Sequence, residues 1–470
     1  MPSPPRAPTS ATLRRAIGRG GFFSLAFGAI VGSGWVVVLG DWLKAAGPGG
    51  ASLGFLAGAL VMVLVALCYG ELAARSTAAG GEFLYTLETF GRFPAFLVGW
   101  FLTLYSVAVC AFEAIALAWM LRTVAPMIAL PAAYHVGGST VAWDALLVGV
   151  GGALAIAALH SRGAAAAIRF QNAVTYGFIA VSVFLIVLGL CTGNPRNLEP
   201  LFAAPANSSW TAGACWVFAT CAYFLNGWQA AIHAIEERRA NLSPRHIIVC
   251  VIAAIAASAL FYCGIILSSA SIMPWQRLAN LDLPAAAAFR SVGPHGIFGT
   301  LVLVAAVISL AKTWSAMTWM SSRLIFAQAR FGLLPHWLAH VDPRTGVPRR
   351  ALWVVGAFTL LGVAVGRSAI LPIVDMVSLC LALSIILCLI ILLRRRRHGA
   401  PASYMVPGGT PLIVIALLGA STMVGIAVLQ PLLSGEGRIP PEWLMLGGWA
   451  ALGILMWYVG RSLQARRVTT

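Results

Sequence analysis

Residues 27–39 read FGAIVGSGWVVVL, an apolar run interrupted by Gly32-Ser33-Gly34. A second run, FATCAYFLNGWQAAI over residues 218–232, is interrupted at Asn226-Gly227. Each run is long enough to enter a bilayer. Glycine costs a helix interior roughly 1 kcal/mol relative to alanine. A helix broken at membrane depth is tolerated only where it lines a cavity or is buried in protein. Two such breaks, at corresponding places in two halves of a chain, are the sequence mark of a transporter binding site.

The composition agrees. The chain has 470 residues, 60% hydrophobic and 10% charged, and a mean hydropathy of +0.88. Soluble domains carry roughly 25% charged residues, so this is read as an integral membrane protein without a large soluble domain. The bilayer is its first partner. A net charge of +17 would suggest nucleic acid in a soluble protein. Here the arginines lie between apolar runs, no RNA-binding module is present, and nucleic acid is not expected. Nine cysteines are scattered without zinc or disulfide spacing, and no metal or cofactor is expected. The segment PSPPRAPTS with Arg14, Arg15 and Arg19 reads as a disordered basic tail over 1–21 without a cleavable signal.

Hydropathy predicts twelve spans, near 22–44, 52–74, 94–121, 141–160, 169–191, 211–235, 246–270, 296–323, 350–368, 370–393, 410–433 and 442–462. They form one transmembrane domain, 22–463, with a tail over 464–470. An even count puts both termini on one side, and positive charge selects the cytoplasm. Of 31 Lys+Arg, 23 then fall on the cytoplasmic side and 7 outside, while Lys312 stays mid-span. Overlaying the two broken spans sets a first repeat at 22–191 and a second at 211–393, inverted because an odd number of spans separates them, with two further helices at 410–462. The expected fold is all-α: five plus five inverted spans plus two, with helices 1 and 6 unwound.

The residues resemble a known family. FGAIVGSGW is similar to the first-helix signature of amino acid permeases of the amino acid–polyamine–organocation superfamily, which share the leucine-transporter fold. YGELAARSTAAGGEFLYTLETFGRFPAFLVGW, residues 69–100, resembles their segment between helices 2 and 3. SSRLIFAQARFGLLPHWLAHVDPRTGVPRRAL, residues 321–352, resembles their cytoplasmic segment after helix 8. All three in order, across nearly the whole chain, make the resemblance specific. Trp35, Thr77, Gln229 and Phe331 depart from the common pattern. Trp35 and Gln229 lie by the expected site, so they bear on substrate identity. The resemblance implies an amino acid transporter of the cell membrane working by alternating access.

Chemistry nominates the residues. At Gly32, Ser33 and Gly34 an unwound turn exposes N–H groups at the start of a half-helix, which attracts anions and fits an amino acid carboxylate. Close helix packing through small residues is the bland alternative. At the second break the carbonyls of Phe224, Leu225 and Asn226 suit an ammonium group, and Trp228 resembles the family's aromatic gate. The expected substrate contacts are Ile30, Gly32, Ser33, Gly34, Trp35, Tyr105, Phe224, Asn226, Gly227, Trp228 and Gln229.

The expected coupling or ion site is Lys312, Thr313 and Glu113. Lysines occur only at 44 and 312, and buried lysine can release a proton where arginine cannot. By resemblance, helix 8 faces helix 1 where sodium-coupled relatives hold sodium, so the Lys312 ammonium stands in for that ion or tethers helix-end carbonyls. This points to sodium-independent transport, driven by protons or exchange. Glu113 is read first as a helix contact, with proton carriage or attraction of cationic substrates as alternatives. His233 is read as packing before proton relay, Asp41 and Asp375 as interfacial. Glu236, Glu237, Arg238 and Arg239 form either a solvated face or an inner gate. Arg394–Arg397 stops a helix.

Two other transport-scaffold readings stay open: a polyamine or organic-cation carrier, for which Glu113 speaks, and a non-transporting sensor. A membrane transferase needs His and acids gathered at one membrane face, and His135, His160, His233, His295 and His336 are scattered. The sequence therefore reads as no enzyme. Oligomeric state is not readable from it.

Overall fold

The computed structural model describes residues 13–76, 78–136, 139–203, 209–398, 402–434 and 441–468. Residues 1–12 of the expected tail, residues 469–470 and Thr77 lie outside the described residues, as does the side chain of Asp375.

The described chain is mostly helical. In order it forms α1 (Arg19–Ile30), α2 (Gly34–Val37), α3 (Leu39–Arg75), α4 (Glu82–Phe90), α5 (Arg92–Val124), β1 (Ala132–Val136), β2 (Ser139–Ala142), α6 (Trp143–Ser161), α7 (Ala164–Thr192), α8 (Trp210–Phe224), α9 (Gln229–His233), α10 (Pro244–Ile272), α11 (Trp275–Leu278), α12 (Pro284–Arg290), α13 (Ile297–Arg330), α14 (Arg349–Val365), α15 (Arg367–His398), α16 (Gly409–Ser434) and α17 (Pro441–Val468). Among the described residues, eight stretches are long and apolar enough to cross a membrane, so the chain is a multi-pass membrane protein. Two of the other expected spans fall short for local reasons. The sixth is divided between α8, 15 residues, and α9, 5 residues, and α14 has only 17.

Two expectations need correction. The chain is not purely α-helical: β1 and β2 pair antiparallel between α5 and α6. The helix expected from 141 therefore starts at Trp143. Nor is the whole of 1–21 a loose tail. Leu13 and Ile17 are buried, Ile17 forms a parallel bridge with Arg238, and α1 starts at Arg19. Apolar side chains at 13 and 17 outweigh the basic, Pro-rich composition before them.

Close helix approach builds the frame. Gly50, Gly54 and Gly58 recur four residues apart on α3, which puts them on one helix face. A Cβ at Gly54 would lie 2.8 Å from Val217, and one at Gly58 2.5 Å from Cys221, both on α8. From the other side, a Cβ at Gly213 would overlap the Ala45 carbonyl. Small residues let helix backbones touch where lipid offers no hydrophobic drive for association. Beyond this seam α13 packs along α5, and α1 packs against α7, α10 and α13. The first break thus lies inside the bundle.

Candidate functional site

The first break opens where α1 ends at Ile30. Val31 takes φ −92° and ψ 94°, off helical geometry, and α2 starts only at Gly34. Carbonyls at the end of α1 lose their in-helix donors and carry the negative end of the helix dipole. The face of α13 formed by Ser309, Lys312 and Thr313, at i, i+3 and i+4, meets them. Ser309 Oγ lies 2.9 Å from the carbonyls of both Val31 and Gly32. The Thr313 hydroxyl, with one proton to give, lies 2.9 Å from Gly28 O, 3.1 Å from Val31 O and 3.0 Å from Ser309 O. Lys312 Nζ donates to Val31 O and lies 3.5 Å from Gly28 O. Its ammonium also faces the Phe178 ring at 4.7 Å. From α7, Gln171 Nε2 reaches Ser24 O and Lys312 O, both at 3.2 Å.

Glu113 of α5 reaches the break from the opposite side. Its Oε1 lies 3.1 Å from where a Gly32 Cβ would stand. Its Oε2 is buried without a hydrogen-bond partner among the described residues. The structure therefore turns this side chain toward the broken backbone. Gly32 leaves the space that the carboxylate occupies. Tyr105 is buried two turns earlier on the same helix.

The second break is tied largely to itself. Gly227 takes φ 100°, a conformation open to glycine, and a Cβ there would come within 2.6 Å of Ala29 O on α1. Asn226 Oδ1 accepts from Gln229 Nε2 at 2.7 Å and from Gly227 N at 3.2 Å. Gln229 Oε1 accepts from the same N–H at 3.1 Å. Asn226 Nδ2 donates to Ala222 O at 3.0 Å. These two amide side chains hold the turn shut. Phe224 meets the first break directly, since a Cβ at Gly34 would overlap its ring. Trp42 closes on Phe224 edge-to-face at 4.9 Å.

The remaining nominated residues divide. Gly32, Gly34, Phe224, Lys312, Thr313 and Glu113 converge on the first break. Ile30 and Ser33 are buried at its edges. Trp35 packs between Phe178 at 6.0 Å and Phe261 at 5.5 Å. Trp228 is fully buried with its ring against Tyr69 of α3 at 4.8 Å. Both indole N–H groups lack an acceptor among the described residues. Ser309 and Gln171 went unnominated. The polar i, i+3, i+4 set on an otherwise apolar helix was the available signal for Ser309; Gln171 carried none.

The two acids of the charge cluster after α9 point inward. Glu237 takes Arg323 in two bonds of 2.8 and 3.0 Å, both side chains buried, and Arg323 stacks on Trp319 at 4.0 Å. Glu236 takes Arg330 at 3.0 and 2.9 Å and also accepts from Ala79 N at 2.9 Å and Leu13 N at 3.4 Å. Burial works to raise the Glu236 pKa, but Arg330 and these N–H groups outweigh it and hold the carboxyl below its ordinary 4.5. His233 Nε2 meets Glu82 Oε2 at 2.9 Å, both buried. His233 is thus hydrogen-bonded to a carboxylate as well as packed.

Against known families, residues 18–455 match the model of the amino acid permease family. The chain belongs to that family. The permease is similar to a methylthioribose transporter of Bacillus subtilis (strain 168), 26% identical over 96% of this chain and 94% of that one. It is similar to the branched-chain amino acid permease BcaP of the same organism, 27% identical over 87% of each chain. It is also 30% identical to cationic amino acid transporter 4 of Mus musculus over 83% of this chain and 62% of the relative. Permeases are transporters, so the membrane-enzyme reading falls.

Proposed function

We propose that this permease carries an amino acid across the cytoplasmic membrane by alternating access, without sodium. Twelve spans in a five-plus-five inverted repeat, repeats at 22–191 and 211–393, and both termini in the cytoplasm complete the reading. The ligand sits where Gly32, Ser33, Gly34 and Phe224 meet. Its carboxylate is received by the amides at the start of α2. The observation that carries the sodium independence is the Lys312 ammonium bonded to Val31 O beside Gly28 O. A tethered cation already satisfies those carbonyls. A sodium ion at 4 Å from it would cost about 4 kcal/mol at an effective dielectric of 20.

Glu113 supports protons as the coupling ion. An arriving carboxylate would meet this buried acid across Gly32, and one proton held between the two removes the repulsion. The same acid favours a second reading, a carrier of amines or cationic amino acids, in which Glu113 receives the cation directly. Uptake of labelled amino acids and amines into proteoliposomes tests both. Amino acid uptake that persists when choline replaces sodium, and rises with an inward proton gradient, is expected. Steep sodium dependence would overturn the proposal, and uptake of decarboxylated amines in preference to acids would select the second reading.

A further inference from the structure

The acids on the arginine-rich face are already committed. Glu71 pairs with Arg75 and Arg396, Glu88 with Arg395, Glu236 with Arg330, Glu237 with Arg323, and Asp342 with Arg349. Glu82 is taken by His233. Around the start of α1, as at several other exposed arginines of this face, no acid is within reach among the described residues. Arg15, Arg19, Arg169 and Arg239 are exposed there, and none has a carboxylate within ion-pair distance among the described residues. The chain segments that carry them meet. The Arg239 guanidinium lies 3.6 Å from where a Gly18 Cβ would stand, and its Nε reaches Ala16 O at 3.4 Å. Arg19 begins α1. Ile168, beside Arg169, lies 3.1 Å from the Cβ position of Gly21. Four like charges so placed attract an anion from outside the chain.

The surroundings say which kind. Tyr176 stands two turns along α7 from Arg169. Its hydroxyl reaches Gly20 O at 3.4 Å and its ring stacks on Phe23 at 6.0 Å. Val183 and Val187 continue the same exposed side of α7 at 55% and 53% exposure. A cationic mouth, an aromatic side chain at its rim and an apolar stripe below form a surface for an amphiphile, head up and chains along α7. Basic clusters at a helix end attract anionic lipid in this way. We propose that the patch of Arg15, Arg19, Arg169 and Arg239 binds the headgroup of an anionic phospholipid. Bound there, the lipid holds the Leu13–Ile17 segment against the turn after α9, where Ala16 N and Ile17 N donate to Glu237 O at 2.9 and 3.0 Å. Lipid binding at this patch does not rest on the transport reading.

The test is the apparent melting temperature of the purified full chain in detergent. The additives are dioctanoyl phosphatidylglycerol, dioctanoyl phosphatidylcholine and inorganic phosphate at equal concentration. Phosphatidylglycerol is expected to raise the melting temperature, more at low than at high salt, and the other two to leave it unmoved. The combined Arg15→Gln, Arg19→Gln, Arg169→Gln, Arg239→Gln variant loses the shift. Arg344→Gln with Arg397→Gln, exposed arginines elsewhere on the face, keeps it. An equal shift with phosphatidylcholine or with phosphate overturns the proposal, as does a full shift in the combined variant. If that variant fails to fold, native mass spectrometry of single Arg19→Gln and Arg239→Gln proteins decides. Each must retain less phosphatidylglycerol than wild type, and unchanged retention overturns the proposal.

Discussion

Replacing Lys312 separates a coupling group from a tether. Arginine keeps its proton at any accessible pH, so if Lys312 carries the coupling proton, Lys312→Arg holds the α1 carbonyls yet loses accumulation driven by an inward proton gradient. Lys312→Met removes the charge, and its uptake should lose its pH dependence while exchange survives. Uptake against external pH for both variants makes the comparison; a methionine variant that keeps activity and the wild-type pH profile would remove Lys312 from coupling. At Gly34 the structure supplies a steric reason beside the electrostatic one, because any side chain meets the Phe224 ring. Gly34→Leu should therefore push the Phe224 ring aside and lose substrate affinity by roughly tenfold or more, the worth of one charge-assisted hydrogen bond, read as loss of ligand-induced thermal stabilisation in a variant that still melts cooperatively. At this scale the sequence was informative where a residue broke its surroundings. A lysine in an arginine-rich chain and glycines inside apolar runs could be seen. The destinations of Trp35 and Trp228 could not, since an indole beside a break is compatible with facing the ligand or facing a neighbouring helix. Only the rings of Phe178, Phe261 and Tyr69 decide between these.

Among the elements, the turn after α9 gathers the closing contacts. Glu237→Gln leaves Arg323 buried without its counter-charge, and breaking a buried pair from one side costs about 3–5 kcal/mol. A lowered melting temperature is expected, with much of it restored by adding Arg323→Met, since a buried pair replaced by apolar bulk is often neutral; a double variant no better than the single would show that the pair is not the cause. Glu236 adds a pH window. Its carboxyl is held below 4.5 in the folded chain, so its contribution is present above the unfolded value and is lost as pH falls through the lower folded value. Hydrogen-exchange protection of the Ala16 and Ile17 amides should stay level from about pH 7 to about pH 5 and fall only below the ordinary carboxylate range. Loss of protection already near pH 6 would contradict this. These contacts were illegible beforehand. Glu236-Glu237-Arg238-Arg239 reads equally as a solvated run, and nothing local tells Glu237 that Arg323, 86 positions away, will reach it. Hairpin β1–β2 escaped for a related reason: hydropathy assigns apolar residues to spans without asking where the helix starts.

Across the whole molecule, long periodic apolar runs made the helical architecture readable, because span length and charge placement are set by the bilayer. What hydropathy could not foresee was the depth of contact between elements: the glycine seam between α3 and α8, and the α13 face that closes over the end of α1. The proposed cycle predicts uptake that continues at an undiminished initial rate in potassium or choline media. Lys312 carries one further consequence, an electrical one. A diffusible coupling ion crosses the membrane with its substrate and delivers its charge each turn. An ammonium fixed to α13 stays behind. Exchange of one zwitterion for another should then pass no current, whereas a proton taken in with each zwitterion should move one elementary charge per cycle. Recordings on supported membranes, with substrate jumps in exchange and in net-uptake mode, would distinguish a silent turnover from a current-carrying one.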